Sequence, residues 1–134
     1  MEIGMAVFFK LIGRVFSGLG YASRFVKIYE DLFIKYLNFN PYPGTLNVDI
    51  GCDASLLFLR LKPIIIPPPI PIYSYVYVYP ASINNSLKVY VVKSSRSIYD
   101  WRVLEIVSKT CLRELLGLKD GDYVEIVVED STYN

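Results

Sequence analysis

Thr45 and Asn47 bring a hydroxyl and an amide to positions two apart, and on a strand that spacing puts both on one face. The segment that delivers them reads Asn40-Pro41-Tyr42-Pro43-Gly44. Its two prolines withhold backbone donors and Gly44 permits a sharp or left-handed turn, so a rigid turn feeds the strand Thr45–Ile50. Two oxygens presented side by side could hold a metal ion or a phosphate, although an ordinary strand start has the same pattern. Ser17-Gly18-Leu19-Gly20 is a second candidate, because glycine lets backbone N–H groups approach a phosphate closely. A hairpin turn reads identically, and the third glycine of a dinucleotide fingerprint is missing. Arg24 and Lys27 follow, either facing a polyphosphate or solvated.

The chain has no histidine. That excludes Cys/His zinc sites, Ser-His-Asp and Cys-His nucleophiles and any imidazole base. Chemistry here must use carboxylates, hydroxyls, backbone dipoles or a bound cation. Cys52 and Cys111 lack CxxC partners and read as free thiols buried as small hydrophobes. A net charge of +1 gives no field for nucleic acid. The hydrophobic share of 53% raises the question of a membrane. The uncharged run between Lys62 and Lys88 is broken by Pro63, Pro67, Pro68, Pro69, Pro71 and Pro80, which excludes a spanning helix. Met1–Phe9 lacks a basic leader and a cleavage site and reads as the start of a strand, so a cytoplasmic protein is expected.

The elements that must position these groups follow from periodicity. Residues 5–17 read as one strand or as two segments broken at Gly13. Tyr29, Leu32, Phe33, Tyr36 and Leu37 have the spacing of an amphipathic helix over 29–37, with Glu30 and Asp31 in its first turn and Lys35 near its end. Residues 56–62 alternate loosely, and 64–72 suits a polyproline-like cover on a sheet edge better than a ladder strand. Ser74–Tyr79 alternates strictly, and its tyrosines favour packing over base stacking. Asn84-Asn85-Ser86 turns this strand into Leu87–Val92. Residues 93–97 form a polar loop, and Val103, Ile106 and Val107 share a face with Glu105 between them. A short helix is expected over 109–116, with Leu112, Leu115 and Leu116 inward and Gly117 as cap. The Asp-Gly turn at 120–121 leads to a closing strand over 123–129, and 130–134 is a polar tail. At 134 residues, many short strands with two short helices indicate one small β-barrel domain spanning 1–134.

In this order the pieces resemble the archaeal CTP-dependent riboflavin kinases. The resemblance rests on residues 13–20, 39–47 (above all Pro41–Asn47), 96–99, 103–107 and 112–122. It implies a six-stranded cradle-loop, Greek-key-like β-barrel with two or three short helices, and transfer of the CTP γ-phosphoryl to riboflavin, giving FMN and CDP. It further implies that Thr45 and Asn47 hold Mg²⁺, whose remaining ligands are phosphate oxygens and water. Gly18, Leu19, Gly20, Tyr21, Ala22 and Ser23 would wrap the phosphates. Thr110, Cys111, Leu112 and Arg113 would contact the nucleotide, and Ser97 and Glu105 would bind the flavin. Glu105 is also the candidate to orient the attacking hydroxyl or accept its proton. The partners are then riboflavin/FMN and CTP/CDP, with no nucleic acid or membrane, and a monomer is expected. Three departures stand out: Tyr21 and Ala22 replace the family's Glu-Gly, Ser97 stands for Thr, and Lys109 for Pro. They leave a flavin- or nucleotide-binding barrel without kinase activity as the alternative.

Overall fold

A computed structural model describes residues 7–130. The expected beginning of the first strand before Val7 and the tail beyond Asp130 lie outside them. In order, the elements are β1 (Val7–Phe16), α1 (Ala22–Leu37), β2 (Leu46–Asp49), α2 (Ser55–Leu59), β3 (Ile64–Ile66), β4 (Val76–Ile83), β5 (Leu87–Ser94), β6 (Val103–Val107), α3 (Leu112–Leu116) and β7 (Tyr123–Asp130). Six strands close an antiparallel barrel in the order β4-β5-β6-β2-β1-β7, with β7 returning to β4. Consecutive pairs such as β4–β5 alternate with long returns such as β2–β6 and β1–β7, which is the expected Greek-key-like character.

Alternation along each strand separates two apolar layers. Leu46 and Val48, Val89 and Val91, Leu104 and Ile106, and Val124, Ile126 and Val128 fill the barrel interior. Outside the wall, Val26, Tyr29 and Phe33 of α1 pack on Ile66, Val76, Val78, Val92 and Val107. Phe33 is fully buried there, so truncating it to Ala should cost about 3–5 kcal/mol. The Tyr29 hydroxyl donates to the Ser74 carbonyl at 2.6 Å and fixes the helix on the wall.

Several local expectations are corrected. α1 begins seven residues earlier than expected, because Val26 extends the Tyr29–Phe33 stripe one turn back. Glu30 and Asp31 therefore lie in its middle, while Lys35 does occupy the last turn. At 16 residues α1 is not short, and with α2 and α3 there are three helices among the described residues. β1 is continuous through Gly13, where a side chain would strike the Asp49 carbonyl of the neighbouring strand. Residues 55–59, overlapping the start of the loosely alternating stretch, are helical. Ile64–Ile66 is a ladder strand after all, paired with Val76–Val78; farther along β4, Ala81–Ile83 pairs with β7. Pro80, which has no N–H, falls between these two partners. Strand β6 turns Leu104 and Ile106 inward, so Val103 and Val107 do not share their face. α3 starts at Leu112, and Leu115 is exposed. Cys52 is exposed and Cys111 half-buried, so neither is a core thiol. The Asn84-Asn85 turn has both residues at positive φ, and Gly117 caps α3 at φ 63°, both as expected.

Candidate active site

The site lies on the outer face of the barrel wall, where register lines up one residue from each of four strands. Val92 on β5 opposes Glu105 on β6, Glu105 opposes Asn47 on β2, and Asn47 opposes Phe16 on β1. Directly opposed residues point to the same side, so Asn47 and Glu105 are neighbours although distant in sequence. The proline turn leading to β2 is anchored by the Tyr42 amide donating to the Ser108 carbonyl at 2.8 Å. Gly44 completes that turn at φ 141°, in the region that favours glycine.

Thr45 Oγ1 donates to Asn47 Oδ1 across 3.0 Å. Cis ligands of an octahedral Mg²⁺ are spaced by about 2.9 Å, which is √2 times a metal–oxygen distance of roughly 2.1 Å. Rotation of the Thr45 hydroxyl hydrogen would free both oxygens, so the pair fits the ion in separation and in hard, neutral chemistry. Among the described residues no cluster of three or more carboxylate or thiol ligands competes for a metal.

Two clefts meet at Thr45. The first is lined by Leu19, Gly20, Tyr21, Ala22 and Phe25 on one side, and by Thr45, Asn47, Val92, Ser94, Glu105 and residues 96–99 on the other. The second runs from Tyr42 and Gly44 past Thr45 to Ser108, Thr110, Cys111, Leu112 and Arg113. Gly18 crosses directly over Asn47: a Cβ there would run into the Asn47 amide nitrogen and approach the Tyr99 hydroxyl within 3.1 Å. The loop needs glycine at 18 for that close approach.

Two clusters of cation, carboxylate and serine flank the clefts. In the first, Ser97 Oγ donates to Glu105 Oε2 at 2.6 Å, and Lys93 Nζ lies 3.6 Å from the same oxygen. The Lys93 ammonium also donates to the carbonyls of Tyr99 (3.2 Å), Asp100 (3.1 Å) and Val103 (3.4 Å), and sits 4.7 Å from the Trp101 ring centre. Burial pulls its pKa below the ordinary lysine value, and the Glu105 charge opposes that pull. In the second cluster, Arg113 donates to Asp120 at 2.7 Å, and Ser17 Oγ donates to both Asp120 oxygens at 2.9 and 3.0 Å. These bonds, Arg113's first, hold the exposed Asp120 carboxyl below its ordinary pKa. The cluster ties the base of the glycine loop to α3.

Of the residues expected from sequence, Leu19, Gly20, Tyr21, Ala22, Thr45, Asn47, Ser97 and Glu105 share the first cleft, with Gly18 against Asn47. Thr110, Cys111, Leu112 and Arg113 line the second, although the Leu112 side chain belongs to the barrel core. Ser23 lies in the first turn of α1 and lines neither cleft; nor do Arg24 and Lys27, which are exposed. Sequence reasoning missed Lys93, which it left in a polar loop, together with Phe25 and Arg96 at the first cleft. Alternation was the available signal for Lys93: it continues the inward positions Val89 and Val91.

The family model for CTP-dependent riboflavin kinase, described as domain of unknown function DUF120, matches residues 15–128. The chain belongs to this family. The chain is 45% identical over 121 residues to a riboflavin kinase of Staphylothermus marinus, covering 90% of this chain and 92% of that one. A riboflavin kinase of Aeropyrum pernix is 37% identical over 124 residues, covering 88% and 94%. One of Thermococcus kodakarensis is 40% identical over 123 residues, covering 88% of this chain and 58% of the longer relative. Among the described residues no helix is long and apolar enough to cross a membrane.

Proposed function

We propose that this chain is a CTP-dependent riboflavin kinase, acting as a monomer on two small molecules. The ribityl 5′-oxygen of riboflavin would attack the γ-phosphorus of CTP, the bond from that phosphorus to the oxygen it shares with the β-phosphate would break, and FMN and CDP would leave. The observation that carries this reading is the Thr45–Asn47 pair standing in the wall between the two clefts, beside Ser97 and Glu105. That position suits a divalent ion between a triphosphate and a flavin.

Riboflavin is assigned to the first cleft, which sets the apolar Phe25, Val92 and Ile98 beside the polar groups of Thr45, Asn47, Ser97 and Glu105. Glu105 orients the ribityl hydroxyl or accepts its proton, and the proton then passes to solvent. The nucleotide runs from the residue 18–22 loop toward Thr110–Arg113, and Arg113 contributes a fixed positive charge. Thr45 and Asn47 would hold Mg²⁺, which neutralises phosphate charge. Phosphoryl transfer draws mainly on positioning and charge neutralisation, which a histidine-free site can supply. Tyr21 ends the loop as the N-cap residue of α1, so the first turn of that helix adds free N–H groups beside the cleft.

The test incubates the purified chain with riboflavin, Mg²⁺ and either CTP or ATP and follows FMN. CTP-supported FMN formation is expected, and Asn47→Ala should lower kcat at least about 100-fold, as loss of a positioned electrostatic ligand does. Flavin binding without FMN from any nucleotide would instead identify a binding barrel. Undiminished Mg²⁺-dependent turnover in Asn47→Ala would remove the metal assignment.

A further inference from the structure

Lys93 is the most completely engaged charged side chain outside the residues already assigned. It lies one residue before the end of β5, with only 11% of its side chain exposed. Three carbonyls between Tyr99 and Val103 take hydrogen bonds from its ammonium, and the Glu105 carboxylate faces it. Those carbonyls belong to the segment that follows Ser97 and carries Tyr99, both of which line the first cleft. One cation thus ties together a cleft-lining loop and a cleft-lining strand.

The Glu105 contacts are asymmetric. Oε2 accepts from Ser97 and faces Lys93, whereas among the described residues no hydrogen bond engages Oε1. We propose that Lys93 is a positioning residue for the flavin. By holding Oε2 and the 99–103 loop, it turns Oε1 toward the cleft as an acceptor for a ring N–H or ribityl O–H of riboflavin. This rests on the assignment of riboflavin to that cleft.

The physical need for such a cation is specific to a neutral, largely apolar ligand. When an isoalloxazine covers Glu105 it expels water from the carboxylate, and an uncompensated carboxylate would resist being covered. Lys93 is already buried beside it, so the counter-charge is in place before the flavin arrives. Thr110–Arg113, at the far end of the nucleotide path, lie in the other cleft, which Lys93 does not line.

The test measures riboflavin affinity from the change in flavin fluorescence, and KM for riboflavin and CTP, in wild type, Lys93→Met, Glu105→Gln and the double variant. Lys93→Met should weaken riboflavin binding about tenfold or more, the scale of a hydrogen bond to a charged group. Its KM for CTP should stay within about twofold, and in the Glu105→Gln background the same change should add less than about twofold, because the two residues act as one unit. A purely structural Lys93 would lower both affinities together, and that result overturns the proposal, as does unchanged riboflavin affinity. If Lys93→Met fails to fold, the double variant, which leaves neither charge unpaired, is compared with Glu105→Gln alone. Equal affinity supports the proposal and a further tenfold loss overturns it. Wild-type protein that binds no riboflavin removes the flavin-site reading and this proposal with it, whereas wild-type binding with an indifferent Lys93 removes the proposal alone.

Discussion

Ser97–Glu105–Lys93 and Ser17–Asp120–Arg113 each join a serine hydroxyl, a carboxylate and a cation, at different degrees of burial. In the first, the Lys93 and Glu105 side chains are 11% and 19% exposed; in the second, Arg113 and Asp120 are 33% and 56% exposed. The closer ion pair is the wetter one, at 2.7 Å against 3.6 Å. Distance is therefore a poor guide to what each cluster contributes. Water screens the Arg113–Asp120 pair, so that cluster serves mainly to hold Arg113 and the glycine-loop base in place. The Lys93–Glu105 pair has lost much of its hydration, and removing either partner strands a charge.

The largest effect should come from breaking the buried pair. Lys93→Met is expected to lower unfolding free energy by about 3 kcal/mol, read from urea melts, while the Lys93→Met/Glu105→Gln double recovers most of it. A double variant as unstable as the single would show that the three carbonyl contacts, and not the stranded carboxylate, set the cost. Gly18→Ala tests the loop between the clusters. Its Cβ meets the Asn47 amide, so kcat should fall by about tenfold or more with little change in the urea midpoint, as expected when a ligand is displaced by a fraction of an ångström. Arg113→Ala should raise KM for CTP several-fold, about 1 kcal/mol of binding, and leave KM for riboflavin alone. An equal rise in both would mean that the wet cluster supports the whole site.

The smallest effect concerns pH. Hydrogen bonds from Arg113 and Ser17 lower the Asp120 pKa below its ordinary 3.8. A depressed carboxyl stabilises the fold fully above that ordinary value and loses the contribution as pH falls through the native one. Asp120→Asn should therefore lower thermal stability slightly at pH 7, where the contribution is fully present but screened by solvent, and flatten the stability–pH curve below about pH 4. High salt should mimic part of this at the exposed cluster, and leave the buried one largely unaffected. A steep acid limb that survives in Asp120→Asn would assign it to other carboxyls.

Some of this was legible because it is local. The turn at Pro41–Gly44 lies within a few residues and needs no partner to be recognised, as do the Asn84-Asn85 hairpin and the Gly117 cap. The strand patterns read over 74–79 and 123–129 are equally self-contained. The glycine loop was visible too, but its purpose was not. Only the chain folded back on β2 shows that Gly18 clears the Asn47 amide.

Elsewhere local signals misled for physical reasons. Residues 22–28 carry β-branched and aromatic types that look unlike a helix, yet Val26 continues the stripe that α1 packs on the barrel wall. The stretch 64–72 is rich in proline, yet its first three residues find a free edge beside Val76–Val78, and a partner overrides composition.

The sequence alone determined the kind of chemistry open to this protein: no histidine excludes imidazole catalysis, and the Thr45/Asn47 spacing puts two neutral oxygens on one face. It also determined the barrel class, through alternation and turn residues. What only the tertiary structure decided is which groups share a surface. Glu105 stands beside Asn47 through the β2–β6 register, and Arg113 reaches Ser17 from 96 residues away. Lys93 reaches Glu105 because the β5–β6 register sets its neighbour Val92 opposite Glu105, while the Tyr99 and Asp100 carbonyls close around its ammonium. Strand register and loop closure are collective outcomes of packing, and no short stretch of residues encodes them.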